Sequence, residues 1–370
     1  MDIRRAAANW SVNSLLFLLP FLVVEAVFRS LPVSKPPYIL PVSAATPVAR
    51  LQPNVDFIYS RDWNFSVRTH KRSNNFGYVH QADYRLDGAT PLLVVIGDSY
   101  VEARAIEAGE SAAEILHSRL AGTGRVYSIG LAGAPLSQYL AFAEFAKNTL
   151  RPDAMAFLIG GNDFDESLLK YQSNPTRFHY FADNGELRRV DYQMSTIKKI
   201  LRESAFLRYL ILNLEPTRRL EAMRRSARWS DPSKLEQRIL DSKKAVDYFL
   251  DQLASKSGLD SRSVVFVLDA VRPEIYSPEV LQSERYHTSM RRYFGEQAKA
   301  RGYQVLDMQP VFIAKHARDG SRFEAAPTDG HWNALANRVV ADQIERSAVF
   351  ARVFPGKSTP ARPDSAYLLR

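Results

Sequence analysis

Short apolar runs alternate along this chain with longer stretches in which apolar residues recur at helical spacing. Strands are predicted for the short runs, at 91–96, 125–129, 154–159, 263–268 and 304–308. Helices are predicted for the longer stretches, at 112–120, 138–150, 235–257, 283–301 and 334–346. Such alternation is typical of a doubly wound, three-layer α/β/α sandwich with a mostly parallel five-stranded sheet.

One segment, residues 165–232, interrupts this alternation. Within it, Asp183-Asn184-Gly185 is a strong turn signal and predicts a hairpin over 178–190. Residues 197–214 are amphipathic and predict one helix. The segment is interpreted as a cap over a site, as a surface that meets a membrane or a partner, or as a structural brace.

Polar residues and glycines follow three of the predicted strands. The first strand runs into Gly97-Asp98-Ser99, the second into a turn that contains Gly133, and the third into Gly160-Gly161-Asn162. Because parallel strands end at one edge of a sheet, we expect these residues to lie together. Asp329-Gly330-His331 near the end of the chain adds an acid and a base. Together they are the inventory needed for acyl transfer by a serine nucleophile.

These four blocks, taken in order, resemble the SGNH (GDSL-like) hydrolase superfamily over residues 92 to 346. The resemblance implies that Ser99 is the nucleophile, His331 the base and Asp329 the acid that orients it. It also implies an oxyanion hole built from the backbone of Ser99 and Gly133 and from the amide of Asn162. It implies neither a metal nor a cofactor.

Two departures and one upstream motif refine this resemblance. Ser128 stands where the second block of the family usually has Asn, and the last block has Asp-x-His where many members have Asp-x-x-His. The shorter spacing, followed by Trp332, is similar to the branch that acetylates exported polysaccharides. Residues 74–78, Asn-Asn-Phe-Gly-Tyr, look like an element that precedes the core in membrane-tethered bacterial members.

Three functions therefore stay open from the sequence. The first is a serine esterase that cleaves acyl, and above all acetyl, esters of a glycan or lipid. The second is an O-acyltransferase that acetylates an exported polysaccharide. The third is a non-catalytic scaffold of an envelope polysaccharide assembly.

Composition excludes some chemistry and limits the set of partners. The chain of 370 residues has no cysteine, which excludes disulfides and thiolate catalysis. Its net charge of +9 is concentrated in residues 196–228, which hold nine Lys or Arg against three Glu. No nucleic-acid-binding motif accompanies these charges, so we expect a solvated helix face or a contact with anionic lipid or an acidic polymer.

The amino terminus is predicted to be an uncleaved signal anchor, residues 1–29. Arg4 and Arg5 precede an unbroken apolar run from Leu15 to Val24, which Glu25 then ends. A cleaved signal peptide and a buried soluble helix are the alternatives. The anchor predicts a single-pass protein of the bacterial inner membrane whose catalytic domain is periplasmic.

Three further segments complete the predicted domain organisation. Residues 30–60 are rich in proline and are interpreted as an extended spacer. Residues 61–350 are predicted to form the catalytic domain, and 351–370 a tail.

Overall fold

The computed structural model describes residues 19–161, 163–216, 231–277, 285–327 and 329–357. A central sheet of five strands, in the order β4-β3-β5-β8-β9, confirms the predicted fold class, and its neighbouring strands are all parallel. Its strands are β3 (Leu92–Gly97), β4 (Arg125–Gly130), β5 (Ala154–Ile159), β8 (Val264–Leu268) and β9 (Gln304–Asp307). Three two-stranded antiparallel pairs lie outside this sheet: β1 (Val55–Arg61) with β2 (Val67–Ser73), β6 (His179–Phe181) with β7 (Leu187–Arg189), and β10 (Glu324–Ala326) with β11 (Asp329–Trp332).

Helices cover both faces of the central sheet because its strands are apolar on both sides. In chain order the α-helices are α1 (19–30), α2 (Ser99–Glu102), α3 (Ala112–Leu120), α4 (Leu136–Thr149), α5 (Thr196–Glu203), α6 (Ala205–Arg208), α7 (Pro232–Ser257), α8 (Arg272–Tyr276), α9 (Arg285–Ala300), α10 (Met308–Asp319), α11 (Ala334–Glu345) and α12 (Ala348–Val353). One face packs on α4, α7 and α9, through residues such as Phe157, Phe249 and Phe294. The other packs on α3, α10, α11 and α12, through residues such as Val95 and Phe312.

The insertion has the predicted hairpin, but its helix is broken. Residues 179–181 and 187–189 pair antiparallel around the Asp-Asn-Gly turn. The expected helix over 197–214 ends at Ser204, whose backbone is extended and whose side chain caps α6 by accepting from the N–H of Leu207. A π-helical turn, Tyr209–Asn213, follows α6. The break arises because Ser204 satisfies the first N–H groups of a new helix instead of continuing the old one.

The proline-rich segment 30–60 is not the extended spacer that its composition suggests. It has little regular structure, but Val33, Val42 and Leu51 are buried, and its last residues form β1. Val42 pairs with Tyr192 of the insertion. Proline excludes this segment from helices without preventing its aliphatic side chains from packing on the domain.

A tight turn ties this segment to the core at the Asn-Asn-Phe-Gly-Tyr motif. The side chain of Asn74 accepts hydrogen bonds from the N–H groups of Phe76 and Tyr78, at 2.9 and 3.1 Å. Gly77 has φ of +80°, and a Cβ atom there would lie 2.1 Å from the carbonyl oxygen of Leu51. The motif therefore has a structural role in closing the amino-terminal segment onto the domain.

The described helices include none that is both long and apolar enough to cross a membrane. Of the predicted anchor, residues 1–18 lie outside the described chain. Most of the predicted tail, residues 358–370, also lies outside it.

We expect Gly77→Ala to lower the melting temperature by at least about 2 °C more than Gly88→Ala does. Both glycines have positive φ, at +80° and +64°, so both substitutions carry the left-handed penalty of about 1–2 kcal/mol. A Cβ at Gly88 meets no atom within 4 Å, which makes Gly88→Ala the matched control. Thermal unfolding followed by circular dichroism measures the difference, and equal shifts would contradict the close approach at Leu51.

Candidate active site

The three strand ends that carry the sequence motifs are neighbours in the sheet. Strand β3 lies between β4 and β5, and Gly97 at its end is in register with Gly130. The residues that follow these strands therefore leave the same edge of the sheet. Ser99, Gly133, Glu102 and His331 all line one cleft of about 530 Å³ there.

Ser99 begins the short helix α2 directly after β3. Asp98 caps this helix, because its carboxylate accepts the N–H of Tyr100 at 3.0 Å. The hydroxyl of Ser99 lies 2.8 Å from Nε2 of His331 and 3.3 Å from the second carboxylate oxygen of Asp98. The shorter contact is the stronger hydrogen bond, so the Ser99 hydroxyl is directed at the imidazole.

Asp329 and His331 lie on strand β11 of a hairpin and not in a loop. Because they are two residues apart on a strand, they lie on the same side of it. One carboxylate oxygen of Asp329 is hydrogen-bonded to Nδ1 of His331 and also accepts the His331 backbone N–H at 3.1 Å. The structure thus brings Ser99, His331 and Asp329 into a continuous line of hydrogen bonds.

The charge of Asp329 sets the electrostatics of this line. Burial opposes ionisation of Asp329, but its hydrogen bonds with His331 and the nearby charges of His331 and Arg61 outweigh burial and hold its pKa low. Burial likewise opposes protonation of His331, yet the hydrogen bond to Asp329 and its negative charge raise the pKa of the imidazole above its ordinary value. The pair is therefore suited to accept a proton at Nε2 and to stabilise the resulting imidazolium.

Arg61, at the end of β1, is a part of the site that the sequence motifs did not reveal. Its guanidinium lies 2.7 Å from the second carboxylate oxygen of Asp329 and 2.8 Å from the carboxylate of Glu215. The side chains of Arg61 and Asp329 are 7% and 0% exposed. This counter-charge offsets part of the cost of burying the carboxylate, whose ionisation is favoured more strongly by its interactions with His331. No local sequence pattern identifies Arg61, because its partner Asp329 lies near the other end of the chain.

Two backbone N–H groups in the cleft are available for an oxyanion. Within the described part of the chain, neither the Ser99 N–H nor the Gly133 N–H has an intramolecular acceptor. Gly133 has φ of +78°, a conformation that orients its N–H and that glycine adopts without strain. The buried carboxylate of Glu102 accepts the N–H of Ala132 at 2.9 Å and so fixes the loop that carries Gly133. Asn162, the third predicted donor, lies outside the described residues.

The residues that follow Asn162 and His331 in the sequence make hydrogen bonds that fix the segments around the site. Asp163 accepts the N–H of Gly160 at 2.7 Å and the hydroxyl of Tyr139 at 3.0 Å, which anchors the loop after β5. The indole of Trp332 donates to Asp269 at 2.7 Å and contacts the ring of Tyr100 edge-on.

A second cavity of about 390 Å³ adjoins the catalytic cleft. Tyr100 and Gly330 line both spaces. The second cavity is lined by apolar side chains such as Phe164 and by three arginines, among them Arg272, which is ion-paired with Asp269 at 2.9 Å. In the described ranges no group of three or more His, Asp or Glu side chains is arranged to hold a metal ion.

The chain is similar to several solved structures of lipolytic enzymes, at low sequence identity. A lipase, Lip_vut3, from a goat rumen metagenome is 13% identical with a TM-score of 0.43, and the match covers 71% of this chain and 100% of that one. A lipolytic protein of the G-D-S-L family from Veillonella parvula is 11% identical with a TM-score of 0.39, covering 69% and 96%. An acetyl xylan esterase, AlAXEase, is 13% identical with a TM-score of 0.37, covering 68% and 97%.

The Veillonella parvula protein is named for the G-D-S-L family, which the sequence motifs resemble. Identities and TM-scores of this size do not transfer an activity or a substrate to this chain, so its function is argued below from the site. No protein-family model and no curated protein matches the chain.

Replacing Arg61 with methionine is expected to shift the acid limb of the kcat/KM profile to higher pH. His331 must be neutral to act as a base, and the charge of Arg61 lowers the pKa of His331. Without that charge the pKa of His331 rises, and activity is lost at a higher pH as the pH falls. A pH profile of ester hydrolysis measures this shift.

Arg61→Lys is the matched control because it keeps the positive charge. We expect its acid limb to stay close to that of the parent protein, even if kcat falls because an ammonium group does not bridge Asp329 and Glu215 as the guanidinium does. An acid limb at the same pH in the methionine variant and the parent would contradict an electrostatic role for Arg61.

Proposed function

We propose that this protein is a serine-dependent ester hydrolase of the SGNH type that works through an acyl-enzyme. The observation that carries the proposal is the 2.8 Å contact of the Ser99 hydroxyl with His331, whose other ring nitrogen is held by the buried Asp329. A serine hydroxyl is a weak nucleophile until an adjacent base accepts its proton. The backbone N–H groups of Ser99 and Gly133, which have no acceptor among the described residues and line the same cleft, could bind the oxyanion of acyl transfer.

The reaction follows from these positions. The Ser99 oxygen forms a bond to the ester carbonyl carbon while its proton passes to Nε2 of His331, and the carbonyl oxygen becomes an oxyanion. The N–H groups of Ser99 and Gly133 bind that oxyanion, and losing one such donor typically costs about 2.7–4 kcal/mol of transition-state stabilisation. The bond to the alcohol breaks as His331 returns the proton to the leaving oxygen. Water then repeats the sequence and releases the acid.

The lining of the catalytic cleft favours a short acyl group, and we propose acetyl. The described lining residues are charged, small or aromatic, with Arg61, Arg104 and Glu102 close to alanines 103, 105 and 132, and include no Leu, Ile, Val or Phe. A long acyl chain buried there would leave these polar groups poorly hydrated without gaining apolar contacts.

An O-acyltransferase is the second candidate, and the adjoining cavity favours it. This space of about 390 Å³ shares Tyr100 and Gly330 with the cleft, so an acceptor alcohol bound there would lie beside the acyl-enzyme. Hydrolysis and transfer have the same first half-reaction and differ only in whether water or a sugar hydroxyl attacks Ser99-bound acetyl.

We place the catalytic domain outside the cytoplasmic membrane, held there by residues 1–29. The support is the apolar run from Leu15 to Val24, preceded by Arg4 and Arg5. The substrate in this setting would be an acylated glycan or lipid of the envelope.

The proposed activity is tested with p-nitrophenyl esters of increasing acyl length. We expect the acetyl ester to be hydrolysed faster than the octanoyl ester, and Ser99→Ala and His331→Ala to lower kcat by at least about 10³-fold. Ser255→Ala and His70→Ala, which change exposed residues, are the matched controls. Release of p-nitrophenol measures the rate, and sugars added as acceptors measure transfer against hydrolysis.

Each outcome of this assay selects one function. Full activity in Ser99→Ala would contradict the proposed nucleophile. A parent protein that reacts with a fluorophosphonate at Ser99 but hydrolyses no ester would favour the transferase. A parent protein that does neither would favour the scaffold.

The proposed location is tested by labelling an introduced thiol in intact bacteria. The chain has no cysteine, so Leu86→Cys, at a side chain that is 61% exposed, gives a single reactive site. We expect a membrane-impermeant maleimide to label it without lysis. Labelling that requires lysis would place the domain in the cytoplasm.

A further inference from the structure

Two helices beside the catalytic domain expose large apolar side chains to solvent. Their exposed apolar residues, here called the α1/α5 face, are Leu19, Leu22, Val23, Val27, Ile197, Ile200 and Leu201. Ile197 and Ile200 are 70% and 66% exposed, and Leu22 is 58% exposed. Large apolar side chains exposed in such number mark an interaction site in a folded protein.

Helix α5 has the residue pattern of a helix that lies at a boundary between water and an apolar phase. Ile197, Ile200 and Leu201 are at positions i, i+3 and i+4 and share one side. Lys198 and Lys199 occupy the flank and the opposite side. No residue of α5 is buried, and a helix of eight residues is marginal in water by itself. Among the described residues, none buries the apolar side of α5.

The carboxylate of Glu25 joins α1 to the insertion. It accepts hydrogen bonds from the hydroxyl of Ser204 at 2.7 Å and from the N–H groups of Ala205 and Phe206 at 2.9 and 3.2 Å. These donors at the start of α6 provide the carboxylate with hydrogen-bond partners, and the helix N-terminus favours its negative charge. The acid that interrupts the apolar run of the sequence thus has its partners within the protein.

Aromatic packing reinforces this junction. The ring of Phe28 lies 5.3 Å from that of Phe206 and 4.7 Å from that of Tyr209, measured between ring centroids. Arg29 also pairs with Glu25 at 2.7 Å. The end of α1 is therefore attached to the start of α6, which directly follows α5 in the chain.

We propose that the α1/α5 face contacts an anionic lipid bilayer, with the apolar side chains of α1 in its hydrocarbon region and α5 in its interfacial layer, parallel to the membrane surface. Three features select lipid over a protein partner. The sequence before α1 continues apolar from Leu15 to Leu18, α5 carries Lys198 at the border of its apolar side, and the segment 196–228 has a net charge of +6. Lysine side chains at such a border extend toward lipid phosphates.

A second copy of the chain is the main competing occupant. Lys198 and Lys199 of two copies would repel each other across an interface formed by α5. Their charge instead complements acidic headgroups, to which basic residues near a membrane surface are attracted. The proposal goes beyond the proposed function and does not depend on the chemistry of Ser99.

The test uses the full-length protein reconstituted into vesicles of phosphatidylcholine with phosphatidylglycerol. Because the chain has no cysteine, Ile200→Cys accepts one environment-sensitive fluorophore. Ile313→Cys on α10, another exposed apolar site, is the matched control. Lipids with a nitroxide high on the acyl chain quench only probes within the interfacial layer.

We expect strong quenching at position 200 and little at position 313. Equal quenching at both positions would overturn the proposal, as would a blue-shifted probe at position 200 that lipid nitroxides do not reach, which would indicate a second copy. The double variant Lys198→Glu/Lys199→Glu is expected to reduce quenching at position 200. Undiminished quenching in that variant would overturn the choice of an anionic surface.

Hydrolysis of soluble p-nitrophenyl acetate separates this proposal from the proposed function. We expect the charge-reversed variant to keep the parent rate, since neither lysine lines the catalytic cleft. If the charge-reversed variant loses quenching but keeps the parent rate of hydrolysis, the result bears on the membrane contact and not on the catalytic proposal. If the parent protein shows quenching at position 200 but does not hydrolyse the ester, the result contradicts the catalytic proposal and leaves the membrane contact supported.

Discussion

The ionised carboxylate of Asp329, fully buried beside the imidazole of His331, is the constraint on which the rest of the site depends. A charge in that position is strongly destabilising unless it is paired on every side. His331 satisfies one oxygen, and Arg61 faces the other at 2.7 Å. Since Arg61 comes from the amino-terminal hairpin, the site is complete only when that hairpin is in place. The segment before the core is therefore as much a part of the catalytic unit as the sheet.

The fold and the positions of the motif residues could be predicted from the sequence because their signals are local. Uninterrupted apolar runs such as 92–96 identify buried strands, and glycines mark the turns that follow them. Once the sheet is parallel, its geometry brings Ser99 and Gly133 to one edge. His331 and Asp329 could be assigned through the family resemblance, which does not require knowing that they lie on a strand.

Long-range pairing and packing had no such local signal. Arg61 and Glu102 are two of many charged residues, and only tertiary structure shows that one faces Asp329 and the other holds Ala132. Proline content was misleading for residues 30–60. It indicates that the segment is not helical, but it does not indicate whether side chains such as Val42 and Leu51 are buried. The break at Ser204 was missed because serine is common within amphipathic helices. Ser204 caps α6 only because its own backbone is extended, which the sequence pattern does not show.

The short stretch from Ala205 to Glu215 is bonded to another part of the protein at each end. At its start, backbone N–H groups bind Glu25 of α1, and at its end Glu215 bonds to the same guanidinium that serves Asp329. Its length therefore works as a fixed spacer between two anchored points. Substitutions along its exposed side leave both anchors in register, whereas inserting or deleting a residue rotates one anchor away from its partner. Homologues of this protein should thus differ in the sequence of this stretch far more than in its length.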